Sequence, residues 1–210
     1  MKNTHRLIAL LLLLLSLPAV AQFRYSPVVG VNVNNLKFKQ DLVNVGHSVG
    51  FQAGLAGELM FPGIGFGIDF GLLYNMEGAK VDLGSREIWA SEGLGNENLQ
   101  LHVIQIPVHL RFKWTRMNGI EDYIAPFVYG GPEFSILAGH SGFKGTSGEH
   151  PFKYAGGDLG LAVGGGVELL RRWQVMVQYT WGMTYITKTR KLDDYSARNR
   201  QLAVRVAYMF

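Results

Sequence analysis

The sequence predicts an eight-stranded, antiparallel, up-and-down transmembrane β-barrel that follows a cleaved signal peptide. Three observations predict it: apolar and polar residues alternate through eight segments, every second connection is long, and large aromatic residues recur at one end of the segments. After the N-terminal segment, no continuous apolar run reaches the ~18 residues that a transmembrane helix needs. Residues 22–210 are therefore predicted to form one outer-membrane β-barrel domain.

Residues 1–21 have the three parts of a secretory signal peptide. The positively charged start MKNTHR precedes the apolar run LIALLLLLLSL, and Ala19 and Ala21 form a small-x-small cleavage site. A buried N-terminal helix is the alternative, and the cleavage site directly after the apolar run argues against it. The mature chain is expected to begin at Gln22. Because the sequence has no Cys, it holds no disulfide, no metal thiolate and no lipid-modified N-terminal Cys.

Eight alternating or glycine-rich segments are the predicted strands. In chain order they are 23–34, 49–61, 64–75, 99–114, 123–137, 154–169, 173–186 and 200–210. In the last one, Leu202, Val204 and Val206 share a face, and Arg205 lies on the other. A period of 3.6 residues does not fit the clearest segments, so helices are not expected. The fifth segment is ambiguous in phase, and we assign Glu133 to its inward face.

The connections alternate between short and long. The short ones are 62–63, 115–122 and 171–172, and the long ones are 37–48, 78–98, 139–153 and 187–199. Outer-membrane barrels have short periplasmic turns and long external loops, whereas a β-sandwich gives no reason for such alternation. Both termini are therefore predicted to be periplasmic.

Large aromatic residues test this arrangement independently. With a periplasmic N-terminus, five of them fall at one predicted rim of the barrel, where aromatic rings sit among lipid headgroups. This predicted periplasmic aromatic girdle consists of Phe61, Trp114, Tyr123, Trp173 and Phe210.

Five stretches have the strand and turn patterns of a known family: VGVNVNNL, QIPVHLRFKW, YGGPEFSIL, DLGLAVGGGVEL and RVAYMF. Through them, the chain resembles the PorT-like outer-membrane β-barrel family of Gram-negative bacteria over nearly its whole mature length. The resemblance implies the fold and an outer-membrane location. Phe210, preceded by Val206 and Tyr208, is similar to the terminal signal that the outer-membrane assembly machinery reads. The name-giving member is linked to protein secretion, which makes an accessory role in secretion one candidate function.

The inward faces of the predicted strands collect charged residues. An eight-stranded barrel is filled by its own side chains, so these charges must pair with one another. We predict a lumen charge network of Glu58, Asp69, Arg111, Glu168 and Arg205. Other charges assigned to the lumen are Arg24, His109, Lys113, Glu133 and Asp158. Paired carboxylates also serve in acid–base catalysis, but a structural network is the preferred interpretation.

Motifs that would carry other chemistry are weak. AVGGGVEL lacks the glycine spacing and the following helix of a dinucleotide-binding turn. GHSGFKGTSGEH contains the residue types of a Ser/His/acid hydrolase triad close together in sequence. They are His140, Ser141, Ser147, Glu149 and His150. Ser147 lies in GTSGE rather than G-x-S-x-G, so a solvated loop is preferred. No metal-binding spacing is present, and no metal or cofactor is expected.

The net charge is mild, +4 at neutral pH, and no dense basic patch with interleaved aromatic residues is present, so nucleic acid is not an expected partner. Loop 78–98 is acidic and loop 187–200 is basic, and the basic loop is a candidate for contact with anionic lipopolysaccharide.

We expect a small integral outer-membrane protein that is not an enzyme and that presents its loops to partners or supports the envelope. The expected partners are outer-membrane lipids, the assembly machinery, and secretion-system or envelope proteins. Two alternatives stay open beside the secretion accessory. One is a lipid hydrolase or acyltransferase of the outer membrane. The other is a soluble, lipocalin-like barrel, which would turn its apolar face inward.

Overall fold

The computed structural model describes residues 22–38, 44–63, 65–82, 87–91, 93, 95–141, 152–185, 187–189 and 196–210. The predicted signal peptide lies outside the described residues, as do parts of the four long connections. Within the described ranges, no helix has both the length and the apolar character needed to cross a membrane.

Nearly all of the described chain is strand. The strands are β1 (Gln22–Phe38), β2 (Asn44–Gly46), β3 (Ser48–Met60), β4 (Phe66–Asp82), β5 (Asn96–Lys113), β6 (Ile124–His140), β7 (Phe152–Tyr154), β8 (Gly157–Leu169), β9 (Trp173–Gly182), β10 (Thr187–Thr189) and β11 (Ser196–Tyr208). The helical elements are α1 (Glu87–Ala90) and a 3-10 turn (Ile120–Asp122).

The eight long strands close into a barrel. Each pairs antiparallel with the next in the order β1-β3-β4-β5-β6-β8-β9-β11, and β11 pairs back with β1, for example Val29 with Val206. The short strands β2, β7 and β10 extend the sheet where the long connections begin. Closure leaves no open edge along the wall, which is the condition for a sheet to cross a lipid bilayer. The predicted fold is confirmed.

The barrel has two unlike ends. Three short connections, 61–65, 114–123 and 170–172, lie at the end that also carries both ends of the barrel domain, and we call it the turn end. The four long connections lie at the opposite end, which we call the loop end. The observed strands run further toward the loop end than predicted; β4, for instance, continues to Asp82. Backbone pairing continues there because ladder hydrogen bonds do not depend on how apolar the side chains are.

Side chains alternate between an apolar outer face and a polar inner face. In β9, Trp173, Val175 and Val177 are exposed, whereas Gln174 and Gln178 are buried. The exposed apolar face is the reverse of the lipocalin-like alternative, which is therefore wrong, and it suits contact with lipid. Glu133 points inward and is only 1% exposed, as predicted.

This polarity inverts near the loop end. Many of the buried inward residues there are apolar: Leu36, Ala79, Val81, Leu99, Leu101, Val103 and Ala197. Polar residues lie between them on the outward face, and they include Lys37, Lys80 and Asn98, all exposed. Apolar side chains turn inward where the outer medium is water. The loop-end part of the wall therefore has the side-chain pattern of a water-soluble barrel, while the remainder has the pattern of a membrane barrel.

Candidate functional site

The interior of the barrel is the candidate site, because it collects most of the buried polar side chains. Period-two alternation along each long strand turns these side chains inward, and strand pairing then sets them side by side. From the turn end toward the loop end, they form an ionic cluster, a site around Glu133 and a cluster of amides.

The ionic cluster lies closest to the turn end. Its members are Arg24, Glu58, Asp69, Arg111, Lys113, Glu168 and Gln174. Three carboxylates face three cations among these described residues, so the cluster is neutral in its ionised form. A neutral set of buried ions satisfies the condition under which desolvated charges are tolerated.

Glu58 is the centre of the ionic cluster. Its Oε1 accepts hydrogen bonds from Arg24 at 2.6 Å and from Lys113 at 2.7 Å. Its Oε2 accepts from Arg111 at 2.7 Å and from Gln174 at 2.8 Å. Each carboxylate oxygen thus accepts two hydrogen bonds, and the donors come from β1, β5 and β9. Side chains of four strands are therefore cross-linked through one residue.

Glu168 repeats this role from the opposite wall. Its Oε2 accepts from Arg24 at 2.6 Å, from Lys113 at 2.8 Å and from Gln174 at 2.8 Å. Arg24 and Lys113 therefore each bridge Glu58 and Glu168 across the lumen. Such a bridged set obstructs the barrel at this level, because the side chains extend from opposite walls and meet.

Arg111 completes the ionic cluster. Its Nε donates to Asp69 at 2.7 Å, while Nη1 donates to Glu58. The guanidinium also lies 4.1 Å from the centre of the Phe127 ring, within the range of a cation–π contact. A planar fork with several donors suits this position, since it pairs with two carboxylates and stacks on a ring at once.

Glu133 occupies the middle of the lumen. Its carboxylate accepts hydrogen bonds from Gln105 at 2.9 Å, Gln178 at 2.7 Å and Thr180 at 2.9 Å. His109 Nε2 lies 3.3 Å from Oε1 of Glu133. The His109 ring also stacks on Tyr129 with the ring centroids 5.2 Å apart. Neutral donors therefore supply most of the partners of this buried acid.

An amide cluster follows toward the loop end, and its residues were not singled out from the sequence. Gln201 donates to Asn34 at 2.6 Å and accepts from Gln52 at 2.8 Å. Asn75 accepts from Asn32 at 2.9 Å and donates to Glu77 at 2.9 Å. The signal that identifies them is the inward phase of each strand, which the sequence contains.

The structure joins four of the five predicted network residues: Glu58, Asp69, Arg111 and Glu168. Arg205 is buried in the lumen but lies outside the described ion pairs, and its guanidinium donates to the Tyr129 hydroxyl at 3.2 Å. Its hydrogen-bond partner is an aromatic hydroxyl, so the prediction that Arg205 pairs directly with the carboxylates of the network is corrected in this respect. The charge of Arg205 also interacts with that of Glu133.

Little empty space remains between these layers. A cavity of about 40 Å³ lies beside His109, Arg111 and Arg205. That volume holds a few water molecules at most, since one water needs roughly 10–15 Å³ on the same measure. Gly164 and Gly166 make room for Tyr129 and Phe127, because a Cβ at either position would lie within 3.0 Å of the aromatic ring.

The predicted aromatic girdle lies at the turn end. Trp114, Tyr123, Trp173 and Phe210 are exposed there, whereas Phe61 is half-buried in the β3–β4 turn. Phe61 lies at the same rim, beside the opening of the barrel. The girdle also includes partners that the sequence did not mark: Tyr25 stacks on Phe210 at 5.3 Å, Tyr208 meets Trp173 at 4.9 Å, and Phe112 meets Trp114 at 4.8 Å.

The assembly-signal residues Val206, Tyr208 and Phe210 all point outward at the end of β11. Phe210 N–H donates to the Tyr25 carbonyl at 2.9 Å, which extends the β1–β11 seam to the last residue.

The predicted triad loop lies mostly outside the described residues, and Ser147, Glu149 and His150 are among those not described. In the described part, the Ser141 hydroxyl accepts a hydrogen bond from Gln100 N–H at 2.9 Å. The His140 ring nitrogen lies 3.4 Å from the Ser141 backbone carbonyl. Among the described residues, no group of three or more His, Asp or Glu side chains is arranged to hold a metal ion.

The closed wall, the lipid-type outer face and the filled polar lumen define the class of protein, a small eight-stranded β-barrel that spans a membrane. The model of one family, the outer membrane protein beta-barrel domain, matches residues 16–188. The chain belongs to this family of outer-membrane proteins. No curated protein sequence matches the chain.

Solved structures share the fold. OprG from Pseudomonas aeruginosa is similar with a TM-score of 0.52 and 12% identity, over 90% of this chain and 97% of OprG. Ail of Yersinia pestis is similar with a TM-score of 0.40 and 12% identity, over 90% of this chain and 99% of Ail. Neisserial surface protein A has a TM-score of 0.43 and 14% identity, over 88% of this chain and 97% of that protein. At this identity, the similarity to OprG shows the fold alone.

Proposed function

We propose that the chain is a non-conducting, non-enzymatic barrel of the outer membrane that supports the envelope and presents its long loops to partners. The observation that carries this proposal is the ionic cluster, in which Arg24 and Lys113 each bridge Glu58 and Glu168 across the lumen. Conduction needs a continuous watery path, and bridged side chains from opposite walls leave none at this level.

Within this proposal, the turn end and both ends of the barrel domain face the periplasm. The aromatic girdle at the turn end and the short turns support this orientation, since outer-membrane barrels keep their short turns on the periplasmic side. The PorT-like resemblance is supported by the position of its five stretches, which lie in β1, β5, β6, β8 and at the end of β11.

Planar-bilayer recording of the purified protein tests the closed lumen. We expect no stable conductance at neutral pH for the wild type and for the surface variant Asp122→Asn. Glu58→Ala should raise the frequency of brief openings, because it removes the centre of the ionic cluster. Large, long-lived channels in the wild type would overturn the proposal in favour of a porin.

A lipid assay tests the non-enzymatic part. Purified protein is incubated with phospholipid and with lipid A in detergent, and the lipid products are identified by mass spectrometry. We expect both lipids to remain intact. Release or transfer of an acyl chain that is lost on Ser141→Ala or Ser147→Ala would instead establish the lipid-modifying alternative.

A further inference from the structure

A groove on the outer wall lies where the polarity of the wall inverts. It has a volume of about 790 Å³ and runs over β1, β9 and β11 beside β2. We call it the basic groove and define it by Val33, Lys37, His47, Trp181, Arg200 and Leu202. Its residues point away from the lumen, so it belongs neither to the ionic cluster nor to the sites around Glu133 and the amides.

The half of the basic groove nearer the turn end is apolar. Val33 pairs with Leu202, and Leu202 pairs with Tyr179, so these side chains lie side by side across three strands. All three are at least 36% exposed on the face that meets lipid. A surface of this kind accepts an acyl chain.

The half nearer the loop end carries two cations. Arg200 lies between Asn35 of β1 and Trp181 of β9, and Lys37 lies one outward position further along β1. Within the described residues, neither cation has a carboxylate partner. At the turn end, by contrast, exposed Arg171 is paired with Asp122.

The order of these groups along the wall matches the order of groups in a lipid. Val33, Leu202 and Tyr179 lie on the membrane side. Trp181 and Arg200 form the next outward row, with the Trp181 ring 4.6 Å from that of Tyr179, and Lys37 comes last. Aromatic rings settle at the headgroup level, and unpaired cations there attract anionic lipid. An acidic protein would meet the cations but not the apolar half, which the bilayer covers.

We propose that the basic groove binds one lipid with an anionic phosphate headgroup, in the leaflet that faces the loop end. The phosphate lies between Lys37 and Arg200, where ammonium and guanidinium donors meet its oxygens. One acyl chain lies over Val33 and Leu202. The proposal does not depend on whether the lumen conducts or on which end faces the periplasm.

Native mass spectrometry of the full barrel in a neutral detergent tests this proposal. The probes are phosphatidylglycerol and phosphatidylcholine with the same acyl chains, and inorganic phosphate serves as a free-anion probe. We expect one phosphatidylglycerol to remain bound at concentrations where phosphatidylcholine does not. The double variant Lys37→Gln, Arg200→Gln should weaken this binding by about tenfold, since each cation near a membrane surface contributes severalfold.

The matched control is Arg116→Gln, Arg172→Gln, which removes the same charge from the turn end. It should change the affinity by less than about twofold, and a heat-modifiability gel should show that both double variants are folded. Leu202→Ala should also weaken retention of phosphatidylglycerol, because the apolar half loses contact area.

Three outcomes would overturn the proposal. Equal losses in the two double variants would show attraction by net charge alone. Equal retention of the two lipids would show that the headgroup is not recognised. Displacement of phosphatidylglycerol by inorganic phosphate at the same concentration, with no effect of Leu202→Ala, would show an anion site rather than a lipid site.

Discussion

Arg111 and Glu58 are bonded inside the lumen over the intervening strand β4, with Nη1 and Oε2 2.7 Å apart, although 53 residues separate them in the chain. The strand between them, β4, contributes Asp69 to the same guanidinium.

Because Glu58 accepts four donors, Glu58→Gln would leave three buried cations facing two carboxylates. We expect the free energy of unfolding in urea to fall by about 3–5 kcal/mol, the usual cost of breaking a buried ion pair. The control Asp122→Asn breaks an exposed pair and should cost about 0–1 kcal/mol. Equal effects of the two substitutions would contradict the role of the ionic cluster.

We expect the cost in stability of a charge introduced on the outer wall to depend strongly on its depth in the bilayer. Val177 lies midway along β9 and is 50% exposed on the lipid face. Val177→Arg should lower the free energy of unfolding in lipid vesicles by roughly 2–4 kcal/mol, whereas Asn98→Arg, on the exposed polar face near the loop end, should cost about 0–1 kcal/mol. Reversible denaturant titration of both variants measures the difference, and a larger loss at Asn98 would place the membrane wrongly along the wall.

Gly166 lies at a point in the lumen where there is no room for a side chain. A Cβ there would lie 2.2 Å from the Val175 carbonyl oxygen and 2.9 Å from the Phe127 ring. Gly166→Ala should therefore destabilise the barrel by about 1–3 kcal/mol through overpacking. Gly139→Ala is the matched control, since no atom lies within 4 Å of its added Cβ. Urea unfolding of the two variants should separate them clearly, and the interpretation fails if their midpoints coincide.

Phe210 is expected to matter for assembly more than for final stability. Its ring contacts Tyr25 and Tyr208 at 5.3 and 4.9 Å, but the backbone hydrogen bond to Tyr25 survives loss of the ring. Phe210→Ala should cost at most about 1.5–3 kcal/mol and should still refold in detergent. In cells, we expect the amount in the outer membrane to fall, because the family resemblance implies that the assembly machinery reads Phe210.

Tyr123→Ala is the control for Phe210→Ala, because it removes another exposed ring from the turn end. Fractionation with quantitative blotting compares the two variants. Normal outer-membrane levels of Phe210→Ala would refute the assembly role, and failure of that variant to refold in detergent would assign Phe210 a structural role instead.

Much of the membrane-facing part could be predicted from the sequence because one physical rule governs it. Alternation fixes which side chains face lipid, so the inward positions of Glu58, Asp69 and Glu168 follow from the strand pattern alone. Which charges meet depends on the register between distant strands. Arg205 shows this limit: it points inward as predicted, yet Tyr129 is its partner.

The loop-end part was harder to predict because the rule reverses there. Ala79, Val81 and Leu99 point inward while Lys80 points outward, so these residues continue the strands with the opposite polarity. A prediction that assumes one polarity along the whole strand ends the strand too early, and for this reason the predicted loop began at residue 78. Backbone pairing of β4 with β5 through Asp82 shows that the sheet continues.

Beyond Glu77, the inward residues Ala79, Val81 and Leu99 form an apolar end of the barrel that sets the height from which the loops start. From Gly78 to Asp82, a strand tilted by about 45° rises on the order of 10 Å along the membrane normal. The long connections therefore begin on a paired, apolar-cored end of the wall, above the apolar outer face that meets lipid. The loops can therefore vary in length and charge without disturbing the membrane-spanning part of the wall.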